Sequence, residues 1–115
     1  MSYILLIMEP RGQRHERGMP DGRVVYDRML EYAAGLKARG VLLETSSLRE
    51  DAVRLSVRAG RSHVTDGPFT EAKELIGGFF LLSCATREEA LGFAAQCPAA
   101  EWATIEVRET GPCYE

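Results

Sequence analysis

The sequence predicts an α+β domain: an antiparallel sheet with two main helices on one of its faces. Three observations predict it. The 115 residues leave room for a single domain, residues 1–115. Apolar residues recur with a helical period in two long stretches, Val24–Arg39 and the segment after Thr86. The other apolar segments are short, and they flank these helices in the order strand–helix–strand–strand–helix–strand once a hairpin is counted as an insertion.

Tyr3–Met8 is the first strand. Both its faces are apolar, Tyr3, Leu5 and Ile7 on one and Ile4, Leu6 and Met8 on the other, the pattern of a central strand covered on both sides. Pro10–Pro20 is polar, punctuated by Gly and Pro and without period, and reads as a loop. In Val24–Arg39 the residues Val25, Met29, Tyr32, Ala33 and Leu36 form the helical stripe. Asp21 is the candidate cap upstream, Gly40 suits the position after the helix end, and Gly35 would permit close packing on the sheet.

Val41–Thr45 is the second strand and Val53–Arg58 the third, with Val53, Leu55 and Val57 expected to face inward. Ala59-Gly60-Arg61-Ser62 turns the chain into a short strand at His63–Thr65. Asp66-Gly67-Pro68-Phe69 is a dense turn signal, and Thr70–Glu74 a polar turn or short helix. Gly77–Cys84 is again apolar on both faces. Thr86 and Glu89 form a capping box whose helix points Ala90, Leu91, Ala94 and Cys97 inward and stops before Pro98. Thr104–Arg108 closes the fold with Ile105 and Val107 inward. This order is that of a ferredoxin-like sheet with an inserted hairpin. Two helices cover one face only, so the second apolar face needs another cover. The simplest is a second copy of the chain, which predicts a homodimer.

Composition narrows the function. Hydrophobic content of 45% and charged content of 27% exclude wholesale disorder. Net charge is −3, with 14 basic residues scattered among 17 acidic ones, so nucleic acid finds no basic stripe. The apolar opening run ends at Glu9-Pro10, too soon to span a membrane. Cys84, Cys97 and Cys113 are odd in number and lack CxxC spacing, which suits reduced thiols and a cytoplasmic location. With His15 and His63 they match no metal template, and no phosphate loop, nucleophile elbow or dinucleotide fingerprint occurs, so neither metal nor cofactor is expected.

The densest polar cluster is Asp66-Gly67-Pro68-Phe69-Thr70-Glu71-Ala72-Lys73-Glu74, followed by Gly77-Gly78-Phe79. Asp66 before Gly-Pro is first of all a turn organiser, whose carboxylate would bond nearby backbone N–H groups. Its functional reading is a general base at the mouth of a cleft. His63 is the candidate partner, although three residues along a strand place the two side chains on opposite faces. Lys73 is a solvated charge or the holder of a substrate oxyanion. Phe69 is a core plug or a stacking surface. Gly77 and Gly78 begin a strand or let a ligand approach the backbone.

DGPFTEAKELIGGFF resembles the signature of the YCII-related, DGPF-domain proteins. The resemblance extends from the Tyr-Ile-Leu-Leu-Ile-Met strand, through a helix ending in Arg-Gly-Val-Leu, to the Cys-Pro-Ala-Ala and Ile-Glu-Val-Arg segments. It implies a dimeric α/β-barrel type of fold. For the broader group it implies acid/base enzymes with a His–Asp pair, the His early in the first helix. Arg28 and Met29 stand at that place here, which leaves Asp66 as the acidic candidate.

Two functions follow from these readings. The first is a small-molecule site, acting by acid/base chemistry on a substrate the residues do not name, in a cleft near the DGPF motif. The alternative is a non-catalytic dimeric interaction or regulatory module. The resemblance links such a module to sigma factors of the extracytoplasmic-function type, with the Arg11–Arg17 loop as its contact.

Overall fold

Alternation along the first strand decides the layering. In the computed structural model, which describes residues 1–115, β1 runs Ser2–Pro10 and buries Tyr3, Leu5, Ile7 and Glu9, while Ile4, Leu6 and Met8 are half-buried. α1 (Gln13–Arg17) and α2 (Met19–Ala38) follow, then β2 (Leu42–Ser47), β3 (Val53–Arg58), β4 (Arg61–Asp66), β5 (Glu74–Ser83), α3 (Arg87–Gln96), a 3₁₀ turn (Pro98–Glu101) and β6 (Thr104–Glu109). β2, β5, β1 and β6 form an antiparallel sheet in that order, and β3 and β4 form a separate hairpin. This is the expected ferredoxin-like arrangement with its insertion.

The core lies between the buried face of the sheet and the two long helices. Leu5 and Leu82 are fully buried at its centre, beneath Leu36 of α2 and Ala90, Phe93 and Ala94 of α3. Tyr32 ties the layers together. Its ring meets Phe80 edge-on at 5.1 Å and its hydroxyl donates to the Phe93 carbonyl at 2.6 Å. Burial pushes its phenol far above the ordinary range.

Several expectations are corrected. Pro10–Pro20 is not a loop but α1 and the first turn of α2, separated by Gly18 at φ 78°. Arg11 and Arg14 are held in part by carbonyls distant in sequence, and local periodicity does not register such bonds. Asp21 lies inside α2, whose N-cap is Gly18. A Cβ at Gly35 would meet nothing within 4 Å, so no close packing needs that glycine. Leu91 is exposed and Phe93 takes the buried place in α3. Thr86 accepts from the Glu89 amide at 3.2 Å as the capping box requires, but the Glu89 carboxylate accepts from Ala85 rather than from Thr86.

The largest correction concerns the hairpin. Val53, Leu55 and Val57 are exposed, at 64%, 66% and 53%, because β3 and β4 pair only with each other and leave the sheet. The alternation separates an apolar from a polar face, but the apolar face is exposed and not inward. The radius of gyration, 16.0 Å, exceeds the roughly 13 Å usual for this length, and the molecule measures 46 × 41 × 19 Å.

Candidate functional site

Where the N-terminal half of α2 passes over β1, β2 and β5, the sheet presents Gly77, Gly78, Thr45 and Ser46 beside Ile7 and Phe80. Small residues there leave a cleft of about 880 Å³, within the range of small-molecule sites. Val25, Tyr26, Met29, Leu30 and Ala33 of α2 form one wall. Arg14, His15 and Arg17 of α1, Leu48 and Arg49 after β2, and Trp102 complete the lining.

A buried ion pair organises the floor. Glu9 is 7% exposed. Arg14 grips it at two points, Nε to Oε2 at 2.9 Å and Nη2 to Oε1 at 2.6 Å. The same guanidinium donates to the carbonyls of Leu48 at 2.7 Å and Gly77 at 3.3 Å, joining α1 to β5 and to the end of β2. Gly77 is obligatory for this arrangement: a Cβ there would fall on the Glu9 carboxylate and within 3.0 Å of Arg14 Nη2. A Cβ at Gly78 would come within 2.9 Å of the Ser46 carbonyl oxygen. The double glycine therefore makes room for both the ion pair and the β2–β5 pairing.

Two guanidinium groups approach the Trp102 ring, Arg17 at 5.5 Å and Arg28 at 5.4 Å from its centre. Arg28 is itself paired with Glu101 at 2.5 Å, a bond that holds the Glu101 carboxyl below its usual range. Gln13 donates to the Trp102 carbonyl at 2.6 Å, which fixes α1 against the 3₁₀ turn.

The other motif residues lie elsewhere. Asp66 ends β4 opposite Val53 and is exposed, as is His63, which pairs with Ser56. The register places their side chains on opposite faces of the hairpin, so the structure does not bring them together. His63 borders a shallow depression with Arg54, Ser56 and Thr65. Phe69 is half-buried beneath the Arg54 guanidinium, 3.7 Å from its ring centre. Arg54 also bonds Glu71 at 2.8 Å; the Glu71 backbone amide first, then Arg54, lowers that carboxyl. Lys73 is exposed, and its carbonyl accepts from the Arg11 amide at 2.9 Å. Arg11 further holds the Ala72 and Phe69 carbonyls, so it shapes the motif turn from outside. Of the six candidates only Gly77 and Gly78 line the cleft.

Sequence reasoning missed Glu9, Arg14 and Trp102. Glu9 carried a signal: it continues the buried series Tyr3, Leu5, Ile7, where a carboxylate demands a cation. Trp102 carried none, because its partners Arg17 and Arg28 are distant in sequence, and Arg14 was marked only by lying five residues after Glu9.

The profile of the YCII-related domain family matches residues 1–112. An uncharacterized protein of Rhizobium meliloti (strain 1021) is 51% identical over 43 residues, which cover 37% of this chain and 35% of that one. The alignment thus spans about a third of the length of that curated relative. Among solved structures, 5-chloro-2-hydroxyhydroquinone dehydrochlorinase (TftG) from Burkholderia phenoliruptrix AC1100, in complex with 2,5-dihydroxybenzoquinone, superposes with a TM-score of 0.57. The match covers 96% of this chain and 94% of that chain at 16% identity, a likeness of fold. No helix is long and apolar enough to cross a membrane.

Proposed function

Starting from a chain that belongs to the YCII-related family, we propose that it binds a small organic molecule in the cleft between α2 and the sheet. The observation that carries this reading is the cleft itself: a cavity floored by the motif's Gly77 and Gly78, with apolar walls and a fixed ion pair at its base. A bound ligand would touch both glycines through their backbone. An acid/base step there would draw on His15, the one imidazole that lines the cleft. The Asp66 carboxylate accepts no hydrogen bond from the turn it precedes, and Asp66, His63, Phe69 and Lys73 all stay outside the cleft.

The working unit we propose is a homodimer. The exposed strip of Val53, Leu55, Val57 and Val64 on the hairpin and the half-buried far face of the sheet support it. Free Cys84, Cys97 and Cys113 accord with the cytoplasmic location we assign.

A thermal-shift screen of quinones, phenols and aromatic acids, 2,5-dihydroxybenzoquinone among them, tests the cleft. Gly22→Leu is the control, since Gly22 lines the cleft and a Cβ there meets nothing within 4 Å. Hits should raise the wild-type melting temperature and lose that effect in Gly22→Leu. Hits that act equally on both proteins would place binding elsewhere.

A further inference from the structure

The cleft's charge runs against that of the chain. The whole sequence carries −3, yet the cleft is lined by Arg14, Arg17, Arg23 and Arg49 against one carboxylate, Glu9. Four arginines less one glutamate leave +3 before His15 is counted. Glu9 is already gripped by Arg14 at two points, so it offers nothing to a cationic ligand. Nearby acids do not cancel the rest. Glu50 reaches only Arg14, at 3.9 Å, and Asp51 pairs with Arg49 where both side chains are more than three-quarters exposed, at 79% and 90%. Arg17 faces the Trp102 ring and no acid, and Arg23 has no ion-pair partner.

The same cleft leaves apolar surface unmatched. Tyr26 and Leu30 are about half exposed, at 51% and 49%, although both line a concave wall where a packed helix would bury them. Trp102 adds an aromatic surface at one end. A hydrated inorganic anion would satisfy the arginines and leave these walls wet. A neutral apolar molecule would cover the walls and leave the arginines unused.

We infer that the cleft takes an organic anion, an apolar and preferably aromatic body bearing one acidic group, with Arg23 and Arg49 meeting the charge. This rests on the small-molecule reading above and names the class of ligand. Cations are disfavoured by the residual positive charge, and nucleic acid by the acidic balance of the chain outside the cleft.

The test uses 2-naphthoate and its neutral isostere 2-naphthamide, titrated by calorimetry at low ionic strength, where exposed charges are least screened. The acid should bind at least tenfold more tightly than the amide. In an Arg23→Gln, Arg49→Gln double variant with an unchanged melting temperature, that preference should fall below threefold. Equal binding of acid and amide would overturn the anion assignment and leave the cleft as a binding site. A preference that survives in the double variant would overturn the role of the two arginines. Failure of both compounds to bind, together with failure of the wider screen, would overturn the site itself.

Discussion

The Glu9 carboxylate occupies the space that a side chain at Gly77 would need, and Arg14 holds it there through two bonds, of 2.6 and 2.9 Å. Strand β1, helix α1 and the motif's double glycine are thereby one mechanical unit. Removing either charge leaves the other in a site that was built for a pair. Arg14→Gln should therefore cost about 2 kcal/mol, below the usual range for wholly buried pairs because the Arg14 side chain is 34% exposed. The double variant Glu9→Gln, Arg14→Gln should cost less than the sum of the singles. Denaturant melts of the four proteins give this cycle directly, and strict additivity would show that the two residues act independently.

Glycine is required at position 77 but not at position 35. Gly77→Ala should displace the carboxylate and cost about 2 kcal/mol, the scale of a disrupted buried ion pair. Gly35→Ala, in open space within α2, should raise stability by about 0.5–1 kcal/mol through helix propensity. Opposite signs in parallel thermal melts are the expected outcome.

The cysteines should divide into two classes. Desolvation pushes the Cys84 and Cys97 thiols up, whereas Cys113 is exposed. A thiol reagent at pH 8 should titrate one thiol quickly and two only on unfolding. The two buried thiols hold their protons more tightly folded than unfolded. Their contribution is complete below the ordinary thiol value of about 8.5 and is lost as pH rises through their folded values. The melting temperature should accordingly fall above about pH 8.5, and a Cys97→Ala variant should show a shallower fall.

The layering was legible in the sequence because it depends on periods that neighbouring residues declare. The alternation Tyr3, Leu5, Ile7 and the stripe Tyr32, Ala33, Leu36 both face the core as read. The cleft was less legible. Its floor depends on Arg14 meeting Leu48 and Gly77 as well as Glu9, and its end on Arg17 meeting Trp102; all but the Glu9 contact are made across the fold. The motif drew attention to Asp66, yet the part of it that reaches the cleft is the pair of glycines, visible only once β5 lies beside β1 and β2. The hairpin shows the same limit: its apolar face was correctly marked, but nothing local says that the face leaves the sheet.

That face supports a prediction about assembly. Leu55 is 66% exposed in the protomer, so Leu55→Asp should change protomer stability by no more than about 0.5 kcal/mol. It should nevertheless shift the particle from dimer to monomer in light scattering at micromolar concentration. An unchanged mass, or a monomeric wild type, would contradict the homodimer we propose.

Ligand binding in this proposal occurs between α2 and the sheet and not at the motif's Asp66 turn. Amide chemical-shift mapping with 2-naphthoate tests it most directly. The largest shifts should fall on Gly22, Met29, Gly78 and the Trp102 indole, and Asp66→Asn should leave them in place. Shifts centred on His63, Asp66 and Lys73, abolished by Asp66→Asn, would contradict it.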